Sequence, residues 1–155
     1  MGKLLEKIEL GNLELKNRTI RSATWEGMCD KEGKPTERLI ELYEELAQGE
    51  VGLIITGYAY VSPEGQQLPG MLGLHQDENI EPLQRMVERV KAKGGVIAVQ
   101  LVHCGGQADR RTSGLKPIAP SAIEFPSYRE VPQEMGKEDL KRVVEDFAKA
   151  AERAK

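Results

Sequence analysis

The run VGLIITGYAYV, Val51–Val61, decides how this chain folds. It is apolar and β-rich without a break. A strand with one wet face alternates, whereas a strand covered on both faces, as in a parallel sheet, reads as a continuous run. Its neighbours fit that reading. Upstream, Thr36–Gln48 reads as a helix. Thr36 stands at its cap, Leu39, Ile40, Tyr43, Leu46 and Ala47 form one apolar stripe, and Gly49 ends it. Downstream, Asp77–Lys93 reads as a second helix. Pro82 sits in its first turn, Ile80, Leu83, Val87 and Val90 face inward, and Gly94-Gly95 stops it. VIAVQLVH, Val96–His103, then repeats the buried-strand pattern.

The outer segments complete the order. In KIELGNLEL, Lys7–Leu15, alternating runs flank Gly11-Asn12, which predicts a β-hairpin. A short strand is expected over Thr19–Ser22. Cys104–Met135, with Pro117, Pro120, Pro126 and Pro132, reads as a long irregular stretch, and such stretches are usually functional or disordered. A last helix starts at Gly136, with Glu138 and Asp139 at its positive end. Leu140, Val143, Phe147 and Ala151 face inward, and Lys141, Arg142, Glu145, Asp146 and Lys149 form a solvated face. A hairpin followed by three strand–helix units predicts a parallel α/β sheet. The fold class expected is the N-terminal part of a (β/α)8 TIM barrel, about three β/α units preceded by the β-hairpin. A whole barrel needs about 250 residues. Residues 1–155 are therefore expected to be the N-terminal portion of one barrel domain, incomplete at the C-terminus.

Composition narrows the function. Hydrophobic residues make up 39% and charged residues 30%, as in a globular protein in water. A net charge of -3 argues against nucleic acid or an anionic membrane surface as partner. The two cysteines, Cys29 and Cys104, form neither a disulfide framework nor a zinc motif, and fit a reducing cytoplasm. The sequence contains no apolar signal segment and no run of membrane-span length. Adjacent His103 and Cys104 cannot supply a tetrahedral metal set, so no metal site is expected. His103 reads as a structural, hydrogen-bonded histidine, and His75 as a surface loop residue.

In parallel α/β barrels the site lies at the C-terminal ends of the strands. After the first strand come Ser22, Ala23, Thr24, Trp25, Glu26 and Gly27. After the second come Thr56, Gly57 and Tyr58, and on the third Gln100, His103, Cys104, Gly105 and Gly106. The small residues let a flat ring approach backbone amides. Gln100, set in an apolar strand, reads as a buried amide that must find partners. It offers a donor and an acceptor together, which matches the edge of a planar imide. No nucleophile–base pair, GxGxxG or phosphate loop is present.

LKNRTIRSATWE, GLIITGYAYV, GMLGLHQDE, QLVHCGGQA and APSAI, in this order and spacing, resemble the N-terminal part of the Old Yellow Enzyme-like NADH:flavin oxidoreductases, over the whole chain. The resemblance implies an FMN-dependent oxidoreductase. Such an enzyme passes hydride from NAD(P)H through FMN to an activated alkene of enone or enoate type. It implies FMN contacts from Ser22, Ala23 and Thr24 along the ring, from Trp25 close by, from Gly57 and Tyr58 at the O4 side, and from Gln100 at the O2/N3 edge. It also implies that the hairpin closes the barrel bottom. Two departures stand out. Trp25 replaces the Cys or Thr that many relatives use to tune the flavin. Gly105-Gly106-Gln107 stands where many have Gly-Arg, so a positive charge is missing or moved to Arg110 or Arg111. The substrate-activating residues are expected beyond Lys155, so the catalytic residues stay unassigned and the chain alone is expected to lack turnover. The partners expected are a small-molecule substrate and either a second copy of the chain or the remaining C-terminal part. The alternative is a non-catalytic half-barrel that self-associates, with weak or no flavin binding.

Overall fold

The computed structural model describes residues 2–128 and 130–155. The hairpin forms as the Gly-Asn turn requires. β1 (Ile8–Leu10) and β2 (Leu13–Leu15) pair antiparallel with Ile8 opposite Leu15, and Gly11 turns at φ +61°. Leu15 is buried, but Leu10 and Leu13 stay exposed. Then follow β3 (Ile20–Arg21), α1 (Glu37–Gln48), β4 (Leu53–Ile55), β5 (Ala59–Tyr60), β6 (Leu72–Gly73), α2 (Ile80–Ala92), β7 (Ile97–Ala98), β8 (Leu101–Val102), α3 (Arg110–Ser113), β9 (Ile118–Ala119), β10 (Gln133–Glu134) and α4 (Lys137–Ala154).

The sheet is parallel. Its lower tier runs β3-β4-β7 and its upper tier β6-β5-β8. The single strand expected over Val51–Val61 is thus two strands, and so is Val96–His103. The tiers remain stitched together, because Thr56 N–H donates to Ala98 O (2.9 Å) and Ala59 N–H to Gln100 O (2.8 Å). The break has a local cause: side chains, not the ladder, hold both polar groups of Gly57. Among the described residues no strand lies on the far side of β7 or β8. That edge explains a second difference: Ala98 and Gln100 are exposed rather than buried.

The core sits between the sheet and the helices. Leu39, Ile40, Tyr43 and Ala47 of α1 meet Ile54, Ala59, Val61, Leu72 and Leu74, with Met86 and Val90 of α2 and Ala150 of α4. Thr36 occupies the cap position of α1, but its hydroxyl donates to Met28 O rather than capping. On α2, Met86 and Val90 are buried while Ile80 is partly exposed. On α4, Ala150 is buried and Ala151 exposed, and Leu140 is exposed too. The inner face therefore runs Val143, Phe147, Ala150, in step with 3.6 residues per turn. The polar face of α4 is not wholly solvated, since Arg142 pairs with the buried Glu64. The stretch Cys104–Met135 carries α3 and the parallel pair β9–β10, with Ile118 opposite Gln133.

Candidate functional site

The three strand ends singled out in the sequence meet on one rim. A Cβ on Gly57 would lie 2.6 Å from Glu26 Oε2 and 2.7 Å from Thr24 O, so only glycine lets the first two ends touch. The Ala59–Gln100 bond sets Gln100 beside Tyr58 on the next strand. Ser22, Thr24 and Gln100 are exposed, Ala23 and Tyr58 half-buried, and Gly57 buried. The backbone amides of Ala23, Thr24 and Tyr58 make no hydrogen bond among the described residues, and neither does the Gln100 side-chain amide.

A polar chain beneath the rim holds it in shape. Arg21 pairs with Glu26 (Nη2 to Oε1, 3.1 Å) and donates to Ser22 O (3.1 Å) and to the Thr24 hydroxyl. Tyr43, fully buried at the middle of α1, donates its hydroxyl to Glu26 Oε2 (3.2 Å) and accepts the Gly57 N–H (3.0 Å). The Thr56 hydroxyl donates to Gly57 O (2.9 Å). Burial pushes the Glu26 carboxyl up, partly offset by the Tyr43 hydroxyl and the Arg21 charge. Burial also raises the Tyr43 phenol, so it remains a protonated donor. Tyr43 was legible as a core residue, but where its hydroxyl goes is not, because that depends on a strand end distant in sequence.

The walls beside the rim are aromatic. Trp25, 42% exposed, donates Nε1–H to Pro69 O (3.1 Å). Tyr58 donates to Gln67 Oε1 (3.0 Å), and Gln67 donates in turn to the Tyr128 hydroxyl. Gln67 and Tyr128 carried no sequence signal of this role. Neither displaced arginine offers a free charge: Arg110 pairs with Glu130 (3.0 Å) and Arg111 with Asp109 (2.6 Å). His103 Nδ1 accepts the Gly105 N–H (3.0 Å), while its buried Nε2 has no partner among the described residues. His75 is not a surface residue: its ring stacks on Tyr60 at 4.7 Å between centroids, and it is half-buried. Cys29 and Cys104 are free thiols that burial pushes up to about 12 and about 11. Among the described residues no group of His, Cys, Asp or Glu could hold a metal, and no helix is long and apolar enough to cross a membrane.

A rim of free amides, small side chains and one primary amide suits the acceptor-rich edge and flat face of an isoalloxazine ring. The chain belongs to the NADH:flavin oxidoreductase / NADH oxidase family, which it matches over residues 3–155. Proteins of this family use FMN, with NAD(P)H as reductant. It is 37% identical to an NADPH dehydrogenase of Bacillus subtilis, over 99% of this chain and 45% of that protein. It is 36% identical to a metal reductase of Desulforamulus reducens, over 100% of this chain and 23% of that protein. Among solved structures, the Old Yellow Enzyme homologue of Zymomonas mobilis superposes with a TM-score of 0.87 at 27% identity, over 99% of this chain and 45% of that one. Morphinone reductase superposes with a TM-score of 0.85 at 28% identity, over 97% and 44%. The chain thus spans under half the length of these relatives, and its sheet is the matching part of their barrel.

Proposed function

We propose that Ser22, Ala23, Thr24, Trp25, Gly57, Tyr58 and Gln100 hold FMN, in an oxidoreductase that passes hydride from NAD(P)H to an activated alkene of enone or enoate type. The observation that carries this reading is the set of unengaged donors on three touching strand ends. Bound FMN would supply reversible hydride transfer. The residues of this chain supply its seat. The Ala23 and Thr24 amides run along the ring, the Tyr58 N–H serves the O4 side, and the Gln100 amide pairs with the O2/N3 edge. Trp25 and Tyr58 offer apolar walls to a small-molecule substrate. No side chain of the rim is assigned as the acid that polarises the acceptor. That acid would lie in the part of the relatives that this chain does not span, so residues 1–155 alone should show no turnover. Two free cysteines, unpaired with each other, support residence in the cytoplasm.

The test is FMN titration. Gln100→Ala should weaken binding about tenfold, the loss expected for a hydrogen bond to a polar ring edge. An unchanged dissociation constant would remove Gln100 from the site. A second reading, a self-associating half-barrel without flavin, is favoured by one feature. A groove lined by Leu83, Val87, Ile97 and Val99 together with Glu88, Lys91 and Arg153 opens between α2 and the end of α4, next to the edge of β7 that is unpaired among the described residues. Under that reading sedimentation would show a dimer and the protein would be colourless.

A further inference from the structure

We propose that Thr56 and Tyr43 are positioning residues that aim the Tyr58 N–H at the flavin. Gly57 C=O and Tyr58 N–H belong to one planar trans peptide, so they point in opposite directions. The Thr56 hydroxyl holds Gly57 O at 2.9 Å, and both groups are buried. That bond fixes the plane and leaves the Tyr58 N–H directed away from the Thr56 side chain. Tyr43 fixes the preceding peptide by taking the Gly57 N–H at 3.0 Å. Glycine is the residue whose flanking peptides turn most freely. Here a Cβ is forbidden by Glu26 and Thr24, so glycine is required and its freedom must be removed by other means. Two hydroxyls remove it. Through Tyr43, Glu26 and Arg21, the same chain of bonds reaches Ser22 O and the Thr24 hydroxyl, so the donors of the first two strand ends are set together.

This inference rests on the reading of the rim as a flavin site. A donor at the O4 side stabilises the electron-rich reduced ring more than the oxidised ring. Misaiming it therefore lowers the reduction potential as well as the affinity. The test uses the FMN-loaded protein with Thr56→Val, which keeps the shape and removes the hydroxyl, with Thr56→Ser as the rescue and Tyr43→Phe as an independent probe. Both hydroxyl-deleting variants should raise the FMN dissociation constant about tenfold, shift the potential negative and alter the flavin visible bands, while Thr56→Ser stays near wild type. A potential and spectrum unchanged in both Thr56→Val and Tyr43→Phe would overturn the positioning role even if affinity or stability fell. Failure of the wild-type protein to bind FMN at all would instead overturn the flavin reading, and this inference with it.

Discussion

Gly33 sits at φ +80°, and a Cβ there would meet Gly73 N at 2.6 Å. Gly33→Ala must therefore both strain the backbone and push β6 away from the loop before α1. It should cost more than about 2 kcal/mol in urea unfolding, and a neutral result would contradict the packing described. The two histidines give a pH dependence. Burial holds both His75 and His103 below the usual value of 6.5. Above pH 6.5 both states carry neutral rings and stability is level. Below it the unfolded chain takes up protons that the folded chain resists, so stability falls. Glu64 adds to this at lower pH. Burial opposes its ionisation, but Arg142 holds it below 4.5, and that contribution is lost as pH falls through its folded value. Burial-raised Glu26 acts in the opposite sense, from 4.5 upward. The urea midpoint should thus drop between pH 7.5 and 5.5, and replacing both histidines with Asn should flatten the drop. An unchanged midpoint in the parent protein would count against the buried, neutral state of these rings. At this scale the sequence showed which residue types collect at the strand ends. It did not show the exposure of Gln100, which depends on what lies across the sheet edge, or the partners of Thr56 and Tyr43.

Among the elements, α1 carries most of the helix-side core. Leu39 is buried against Ile54 and its neighbours, so Leu39→Ala should cost about 2–5 kcal/mol. Leu140 on α4 is half exposed, and Leu140→Ala should cost under about 0.5 kcal/mol, although apolar periodicity puts both leucines on inward faces. Paired denaturation curves would check the contrast. The order and type of the long elements were legible because apolar periodicity is a local property. The split of each long strand was not, because the break at Gly57 comes from hydroxyls that fold onto it. The pair β9–β10 was also hidden, since two-residue strands carry no period to read. The face of α4 was misplaced by one residue at Ala151, where two adjacent alanines gave no contrast.

For the whole molecule, three parallel β/α units present one rim at the C-terminal strand ends, and membership of the flavin oxidoreductase family rests on nearly the full chain. Parallel order and rim were both foreseeable from continuous apolar runs followed by small residues. The uncovered edge of β7 and the groove beside α4 follow from the spatial arrangement alone. The proposed seat of FMN is this rim, with Gln100 and its neighbours. It is tested most directly by titrating FMN into the protein and its Gln100→Ala variant, following flavin fluorescence. Saturable, one-to-one binding is expected, weakened about tenfold by the substitution. Equal affinity in the two proteins, or no binding in either, would contradict it.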